Sequence, residues 1–139
     1  MADFLDTNVL VYAFDASEPT KQATAQQLLS DHPDACISTQ VLLEWFSAVT
    51  RKFTPPLPLT DAVAALETLA ALDVLPADAE LVVRAARASR DHQLSIWDAM
   101  IIESAALGGC STLWTEDLSD GTTLRGVTIR NPFAEQPLR

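Results

Sequence analysis

The sequence predicts an α/β fold in which a central, mostly parallel sheet of short strands is covered by helices on both faces. Short apolar runs alternate with longer segments of helical periodicity along almost the whole chain. The 139 residues are 48% hydrophobic and 20% charged, which suits a single globular domain with its own core. Acidic side chains follow two of the short runs, at the kind of position where open α/β sheets bind ligands.

About four or five short strands are expected, each bounded by turn or helix signals. They lie at residues 4–5, 35–37, 73–75, 111–114 and 127–129.

Helices are expected between these strands, and one more follows directly after Asp6. Their predicted spans are residues 21–29, about 39–52, 60–72, 78–91 and 99–107. Ser38 or Thr39 can cap the second of these spans, and Ser95 can cap the last. The last span is almost entirely apolar, so we expect it to be central, and Gly108-Gly109 ends it.

Composition excludes several classes of protein. A net charge of −10 disfavours a simple DNA-binding module, because such modules rely on Lys and Arg contacts to phosphates. No uncharged apolar run approaches the 18 or so residues of a membrane span, and the first residues lack the basic start of a secretory signal. A cytoplasmic protein without a membrane partner is therefore expected.

Cysteine and histidine are too few for several common sites. Cys36 and Cys110 lack the spacing of a zinc site or a disulfide framework, so both are expected to be free, buried thiols. His32 and His92 show no nucleophile and base pattern. Hydrolysis by a serine or cysteine nucleophile is therefore poorly supported.

Four acidic residues border apolar elements that must pack together: Asp6, Glu44, Asp98 and Asp117. Each also has an ordinary explanation. Asp6 can be the N-cap of the next helix, Glu44 can be a solvent-facing residue, and Asp98 can complete a capping box with Ser95. If the four gather in space, their mutual repulsion favours a bound cation. Carboxylate oxygens suit Mg²⁺ or Mn²⁺ better than zinc.

The order and chemistry of these segments resemble PIN-domain ribonucleases, and more narrowly the VapC toxins of toxin-antitoxin pairs. The resemblance spans Asp3 to about Phe133, so one domain is expected over residues 1–139, with its core at about 3–133. The segments that carry it are Leu5-Asp6-Thr7-Asn8, Glu44 within a helix, Trp97-Asp98-Ala99 and Thr115-Glu116-Asp117.

The resemblance implies roles for these residues. Asp6 and Asp98 would be metal ligands, and Glu44 and Asp117 would complete the acidic pocket directly or through water. The implied supporting residues are Thr7, Asn8, Thr115 and Glu116. Between the two adjacent acids, Asp117 is preferred to Glu116 because neighbouring side chains diverge.

The sequence leaves the roles of two further groups of residues open. Trp45, Trp97 and Trp114 lie near proposed site acids, where they either stack on bases or pack in the core or a dimer. Arg84, Arg87 and Arg90 recur every three residues along one predicted helix. They either contact phosphates, pair with an acidic neighbour or form a solvated face.

The function implied by the resemblance is a Mg²⁺-dependent endoribonuclease toxin that hydrolyses RNA and acts as a homodimer. A cognate antitoxin would neutralise it by bringing Arg or Lys into the acidic pocket. Two alternatives are an RNA-processing PIN nuclease without an antitoxin, and a catalytically silent PIN-like module that only binds a basic peptide. One departure is that the family often has a polar residue near Glu44, where this chain has Trp45 and Phe46.

Overall fold

The computed structural model describes residues 2–134, which form six strands and six helices. The strands are β1 (Asp3–Leu5), β2 (Cys36–Ser38), β3 (Asp73–Leu75), β4 (Thr112–Trp114), β5 (Thr123–Leu124) and β6 (Val127–Arg130). The helices are α1 (Thr7–Tyr12), α2 (Pro19–Asp31), α3 (Thr39–Arg51), α4 (Leu59–Leu69), α5 (Ala79–His92) and α6 (Ile96–Leu107).

All six strands belong to one sheet with the order β3-β2-β1-β4-β6-β5. Every neighbouring pair is parallel except β5 and β6, which are antiparallel. The register places Leu5 opposite Trp114, so β1 and β4 end at the same edge of the sheet. The predicted mixed α/β fold with a mostly parallel central sheet is confirmed.

The strand order explains why helices cover both faces. The connections from β1 to β2 and from β2 to β3 step in one direction along the sheet, whereas the connection from β3 to β4 steps back past β1. Right-handed crossovers in opposite directions place their helices on opposite faces. Helices α1 to α4 therefore cover one face, and α5 with α6 covers the other.

Side-chain caps fix the starts of the helices that matter for the site. Ser38 accepts a hydrogen bond from the Val41 N–H at the start of α3, and Ser95 accepts one from the Asp98 N–H at the start of α6. Ser38, not Thr39, is therefore the cap of α3. The predicted helices 21–29 and 60–72 are shifted by two or three residues at their ends, since α2 begins at Pro19 and α4 ends at Leu69.

The core lies between the sheet and its helices. Helix α6 is buried along most of its length, because it packs between the sheet and α5, as its apolar sequence predicted. Cys36 and Cys110 are buried and free, which confirms that prediction. None of the helices within residues 2–134 has the length and apolar character to cross a membrane.

The expected count of about four or five strands is wrong, because β5 adds a sixth. This strand has only two residues and pairs with β6 through the turn Arg125-Gly126. Both turn residues have positive φ, 55° and 77°, as in the two-residue hairpin turns that match strand twist. Arg-Gly is a much weaker turn signal than Asn-Gly, so the sequence pattern did not indicate this hairpin.

Candidate active site

The candidate site lies at the carboxyl ends of β1 and β4. Between these two strands the sheet changes its direction of growth, because β2 and β3 lie beyond β1 while β6 and β5 lie beyond β4. The segments that leave the two strands separate there and open a crevice, which is where α/β sheets bind their ligands. Asp6 follows β1 directly, and Thr115 to Asp117 follow β4.

Asp6 is fixed by three hydrogen bonds and is only 6% exposed. Its backbone N–H donates to the Trp114 carbonyl at 3.0 Å. Its Oδ1 accepts from the Thr7 N–H at 2.7 Å, and its Oδ2 accepts from the Thr115 hydroxyl at 2.8 Å. Asp6 is also the N-cap residue of α1. Asp6 therefore caps α1 and also lies in the crevice.

Burial raises the pKa of Asp6 from its ordinary 3.8 to about 6, because desolvation disfavours the charged carboxylate. The hydrogen bonds from Thr115 and Thr7 act in the opposite direction. The negative charges of Asp117 and Glu44 then add to the increase in pKa. Asp117 and Glu44 are therefore close enough to Asp6 to oppose its ionisation.

Asn8 and Thr115 connect the first turn of α1 to the segment after β4. The Asn8 amide donates to Asp117 Oδ2 at 2.9 Å and to Thr115 Oγ1 at 3.2 Å. Thr115 is buried, and its hydroxyl accepts from the Asp117 N–H at 3.1 Å while it donates to Asp6. Thr115 thereby links the two acids, and Asn8 holds the exposed carboxylate of Asp117 toward α1.

The carboxylate of Glu116 binds Tyr12 and Lys21. Its Oε1 accepts from the Tyr12 hydroxyl at 2.6 Å, and its Oε2 forms an ion pair with Lys21 at 3.1 Å. Its charge is not among those that raise the pKa of Asp6. The two adjacent acids thus have different surroundings, since Glu116 has a cationic partner and Asp117 faces Asp6 across Thr115.

Glu44 is solvent-exposed, as expected for its position on α3, but it contacts Thr7 at the sheet edge that carries Asp6. Its Oε1 accepts from the Thr7 hydroxyl at 3.0 Å and from the Gln40 amide at 3.1 Å. The Gln40 amide also donates to the carbonyl of Trp97 at 3.3 Å. Gln40 therefore ties α3 to the first turn of α6.

Asp98 is the third residue of α6, and its N–H donates to the Ser95 hydroxyl at 3.1 Å. This is one half of a capping box. Among the residues that the structure describes, no donor to the Asp98 carboxylate is found. The hydrogen bonds of Gln40 to Glu44 and to the Trp97 carbonyl join Glu44 to the first turn of α6, which carries Asp98.

A cleft of about 390 Å³ opens beside these acids. Its polar lining includes Thr7, Asn8, Tyr12, Asp15, Glu44, Lys52 and Asp117. Asp6 and Asp98 do not line it. Lys52 brings a positive charge to a cleft that is otherwise acidic and polar.

The donor chemistry fits a hard divalent cation. Carboxylate oxygens, an amide and hydroxyls surround the crevice, and these groups suit Mg²⁺ or Mn²⁺. Ionisation of Asp6 is opposed by two neighbouring carboxylates, which a cation would relieve. Within residues 2–134, however, no three His, Cys, Asp or Glu side chains are grouped so that they could hold a metal ion. Glu44 and Asp117 instead accept hydrogen bonds from Thr7, Gln40 and Asn8.

Sequence reasoning missed two residues of this region. Gln40 lies one helical turn before Glu44, and that spacing could have indicated its hydrogen bond. Lys52 lies near the end of α3 and reaches the cleft through helix geometry that no motif encodes.

The three tryptophans differ in their environments. Trp45 is fully buried, so core packing is confirmed for it. Trp114 is partly buried and donates from Nε1 to Asp3 at 2.9 Å. Trp97 is 65% exposed beside Asp98, so it does not pack in the core of the chain, and dimer packing and base stacking stay as predictions for it.

Comparison with known proteins assigns the family. The family model of the PIN domain matches residues 4–119. The chain belongs to the PIN-domain family. This assignment confirms the resemblance drawn from the acidic segments, all of which lie inside the matched range. No curated protein sequence matches the chain.

Solved structures support the PIN fold. A toxin-antitoxin complex from Klebsiella pneumoniae has 22% identity and a TM-score of 0.70, with 96% of this chain and 98% of that chain covered. VapC20 of Mycobacterium tuberculosis, described as a sarcin-ricin loop cleaving toxin, has 21% identity and a TM-score of 0.70, covering 84% and 92%. VapBC2 from Rickettsia felis, bound to a promoter DNA fragment, has 18% identity and a TM-score of 0.66, covering 94% and 98%. The PIN domain described here therefore has the fold of VapC proteins.

Proposed function

We propose that this PIN domain is a divalent-cation-dependent endoribonuclease toxin that hydrolyses RNA phosphodiester bonds and is neutralised by a cognate antitoxin. The observation that carries the proposal is the buried carboxylate of Asp6, whose pKa is raised to about 6 by desolvation and by the charges of Asp117 and Glu44. A buried carboxylate whose ionisation is opposed by two neighbouring acids at a sheet switch point is typical of a cation site. The toxin and toxin-antitoxin names of the similar structures support this substrate class and partner.

In this proposal Asp6, Glu44, Asp98 and Asp117 hold Mg²⁺, or Mn²⁺ in its place. When bound, the ion would polarise a phosphate oxygen and lower the pKa of the attacking water. The chain's own contribution is to fix the ligands. Thr7 and Thr115 orient the two oxygens of Asp6.

Three other residues complete this arrangement. Asn8 holds Asp117, and Gln40 holds Glu44. Lys52 offers a cationic contact for a substrate phosphate at the cleft wall. Glu116 supports the loop through Tyr12 and Lys21 and is not itself a ligand.

The antitoxin is proposed to insert Arg or Lys into the same acidic cleft, where its charge would replace that of the cation. The homodimer implied by the family resemblance also remains a proposal. An RNA-processing nuclease without an antitoxin is the alternative, and a short upstream reading frame with a basic tail would favour the toxin. A catalytically silent module is the other alternative, and a nuclease assay on the purified chain distinguishes it from both enzymes.

The test is RNA cleavage by the purified chain with and without Mg²⁺, with mapping of the cleaved ends. Asp6→Asn and Asp117→Asn should each reduce Mg²⁺-dependent cleavage by more than about 100-fold, beyond the effect typical of a residue outside the ligand set. Glu116→Gln is the matched control, because it makes the same charge change one residue from Asp117. It should retain activity to within about tenfold. Undiminished Mg²⁺-dependent cleavage by Asp6→Asn would refute the proposal.

A further inference from the structure

A second cleft, separate from the acidic one, lies along α5 and α6 and has a volume of about 330 Å³. Arg84 and Arg87 of α5 line it, and Arg125 from the turn between β5 and β6 lines it as well. Three of the nine Lys and Arg residues of an acidic chain therefore meet at one place. Arg90, the third arginine of the helical stripe, is not part of the lining.

The acids at this cleft already have partners. Asp91 is paired with Arg90 at 2.8 Å, and Glu103 is paired with Arg125 at 3.0 Å. Arg84 lies 3.6 Å from the exposed Glu80. Arg87 forms no ion pair with any residue in the described part of the chain. The guanidinium group of Arg87, with its five N–H donors, is therefore available for an anion.

Arg125, which forms one side of the cleft, is held in place by an ion pair. Glu103 is only 5% exposed on α6, and the Arg125 guanidinium is its ion-pair partner. Arg125 has a φ of 55°, a left-handed conformation that is uncommon for a residue other than Gly, Asn or Asp. The ion pair thus fixes the β5–β6 turn against α6 and sets one side of the cleft.

We propose that this arginine cleft binds a backbone phosphate of the single-stranded RNA substrate at a distance from the bond that is cut. Guanidinium groups match phosphate oxygens in pairs, and the cleft has room for a phosphate group. An acidic enzyme needs such a contact because its overall charge repels RNA. The inference rests on the proposed nuclease function, since it assigns a second contact to the same substrate.

Helix α6 carries Asp98 and also contributes Glu103 to the arginine cleft. Asp98 lies in its first turn, and Glu103 follows five residues later, about 8 Å further along the helix axis. In the proposal, the RNA strand runs from Asp98 past α6 to the arginines. An acidic peptide is the competing ligand, and RNA is the favoured occupant because the proposed nuclease must bind it despite a net charge of −10.

The experiment measures the binding of a fluorescein-labelled oligouridylate of about 12 nucleotides, a length within the usual range of single-strand sites. Fluorescence anisotropy is recorded in chelator over a series of salt concentrations, with Asp6→Asn as the background so that no cleavage occurs. Adding Arg87→Gln should weaken binding by about tenfold. It should also reduce the slope of log K against log salt by about one.

Arg51→Gln is the matched control, because it removes the same charge from an exposed arginine that lines neither cleft. It should leave the affinity and the slope nearly unchanged. In the background of wild-type Asp6, Arg87→Gln should raise the KM for the longer RNA and leave the cleavage of a dinucleotide unchanged, since a dinucleotide cannot span both clefts.

Equal losses of affinity in Arg87→Gln and Arg51→Gln, or no RNA binding by the parent protein, would overturn the inference. Binding of polyglutamate that depends on Arg87, with RNA binding independent of it, would assign the cleft to an acidic peptide instead. If Asp6→Asn cleaves normally while Arg87→Gln still weakens RNA binding, the nuclease residues are wrong and the arginine cleft stands.

Discussion

At the scale of single residues, Asp6 shows a conflict that stability alone does not explain. A carboxylate that is 6% exposed and has a pKa of about 6 is mostly ionised at neutral pH, although its surroundings favour the neutral form. The hydrogen bonds from Thr7 and Thr115 offset only part of this desolvation. Local conflicts of this kind are typical of functional sites, which is consistent with a role as a cation ligand.

The pKa of Asp6 predicts how stability depends on pH in the metal-free protein. The folded state holds the Asp6 proton up to about pH 6, whereas the unfolded chain loses it near 3.8. Asp6 therefore contributes most to the free energy of unfolding below pH 3.8, and this contribution is lost as the pH rises through 6. Asp6→Asn does not titrate, so in chelator it should increase the free energy of unfolding by about 1–3 kcal/mol at neutral pH.

Urea unfolding at a series of pH values measures this effect. The difference in free energy of unfolding between Asp6→Asn and the wild-type chain should be small near pH 3.8, the ordinary pKa of the Asp6 side chain. This difference should grow up to about pH 7. A difference that stays the same over this range would contradict the assigned pKa.

At the scale of secondary structure, α6 is the element that carries both Asp98 and one side of the arginine cleft. Its first turn carries Asp98 and is tied to α3 by the hydrogen bond from Gln40 to Trp97. Its buried middle carries Glu103, whose partner Arg125 holds the β5–β6 turn. Packing between the sheet and α5 keeps the helix in place. Helix α6 therefore supports Asp98 directly and Arg125 through Glu103.

Arg125→Ala tests this support. It would leave the buried Glu103 carboxylate without its partner, and we expect a loss of about 1–3 kcal/mol in the free energy of unfolding, as for other unsatisfied buried groups. Combining it with Glu103→Gln removes the unpaired charge and should recover part of this loss. Urea unfolding of both variants provides the measurement. A change within about 0.5 kcal/mol for Arg125→Ala alone would be ordinary for a surface position and would contradict this role.

At the scale of the whole molecule, the position of the site follows from the topology. The sheet grows away from β1 and β4 in opposite directions, so the segments after these strands border one crevice. Asp6 and Asp117 lie there because each follows the end of its strand by one to three residues. Position in the sheet thus explains how acids more than 100 residues apart in sequence become neighbours.

Much of this arrangement could be predicted from the sequence. A short apolar run indicated β1, a nearly continuous apolar segment indicated α6, and the Asp-Thr-Asn segment indicated a site at the end of the first strand. The strand β5 could not be predicted, because Thr123 and Leu124 form no apolar run. The sequence also could not indicate which side chains hold the acids, because the hydrogen bonds from Thr115 to Asp6 and from Asn8 to Asp117 join residues more than 100 positions apart.

The most direct test of a cation site at these acids is anomalous diffraction from crystals of the chain grown with Mn²⁺. The account predicts a manganese peak in the crevice, coordinated by Asp6 and Asp98, with Glu44 and Asp117 as ligands directly or through water. It also predicts that the peak disappears in Asp6→Asn. Ordered Mn²⁺ elsewhere, with Asp6 and Asp98 uncoordinated at ion concentrations that support RNA cleavage, would contradict it.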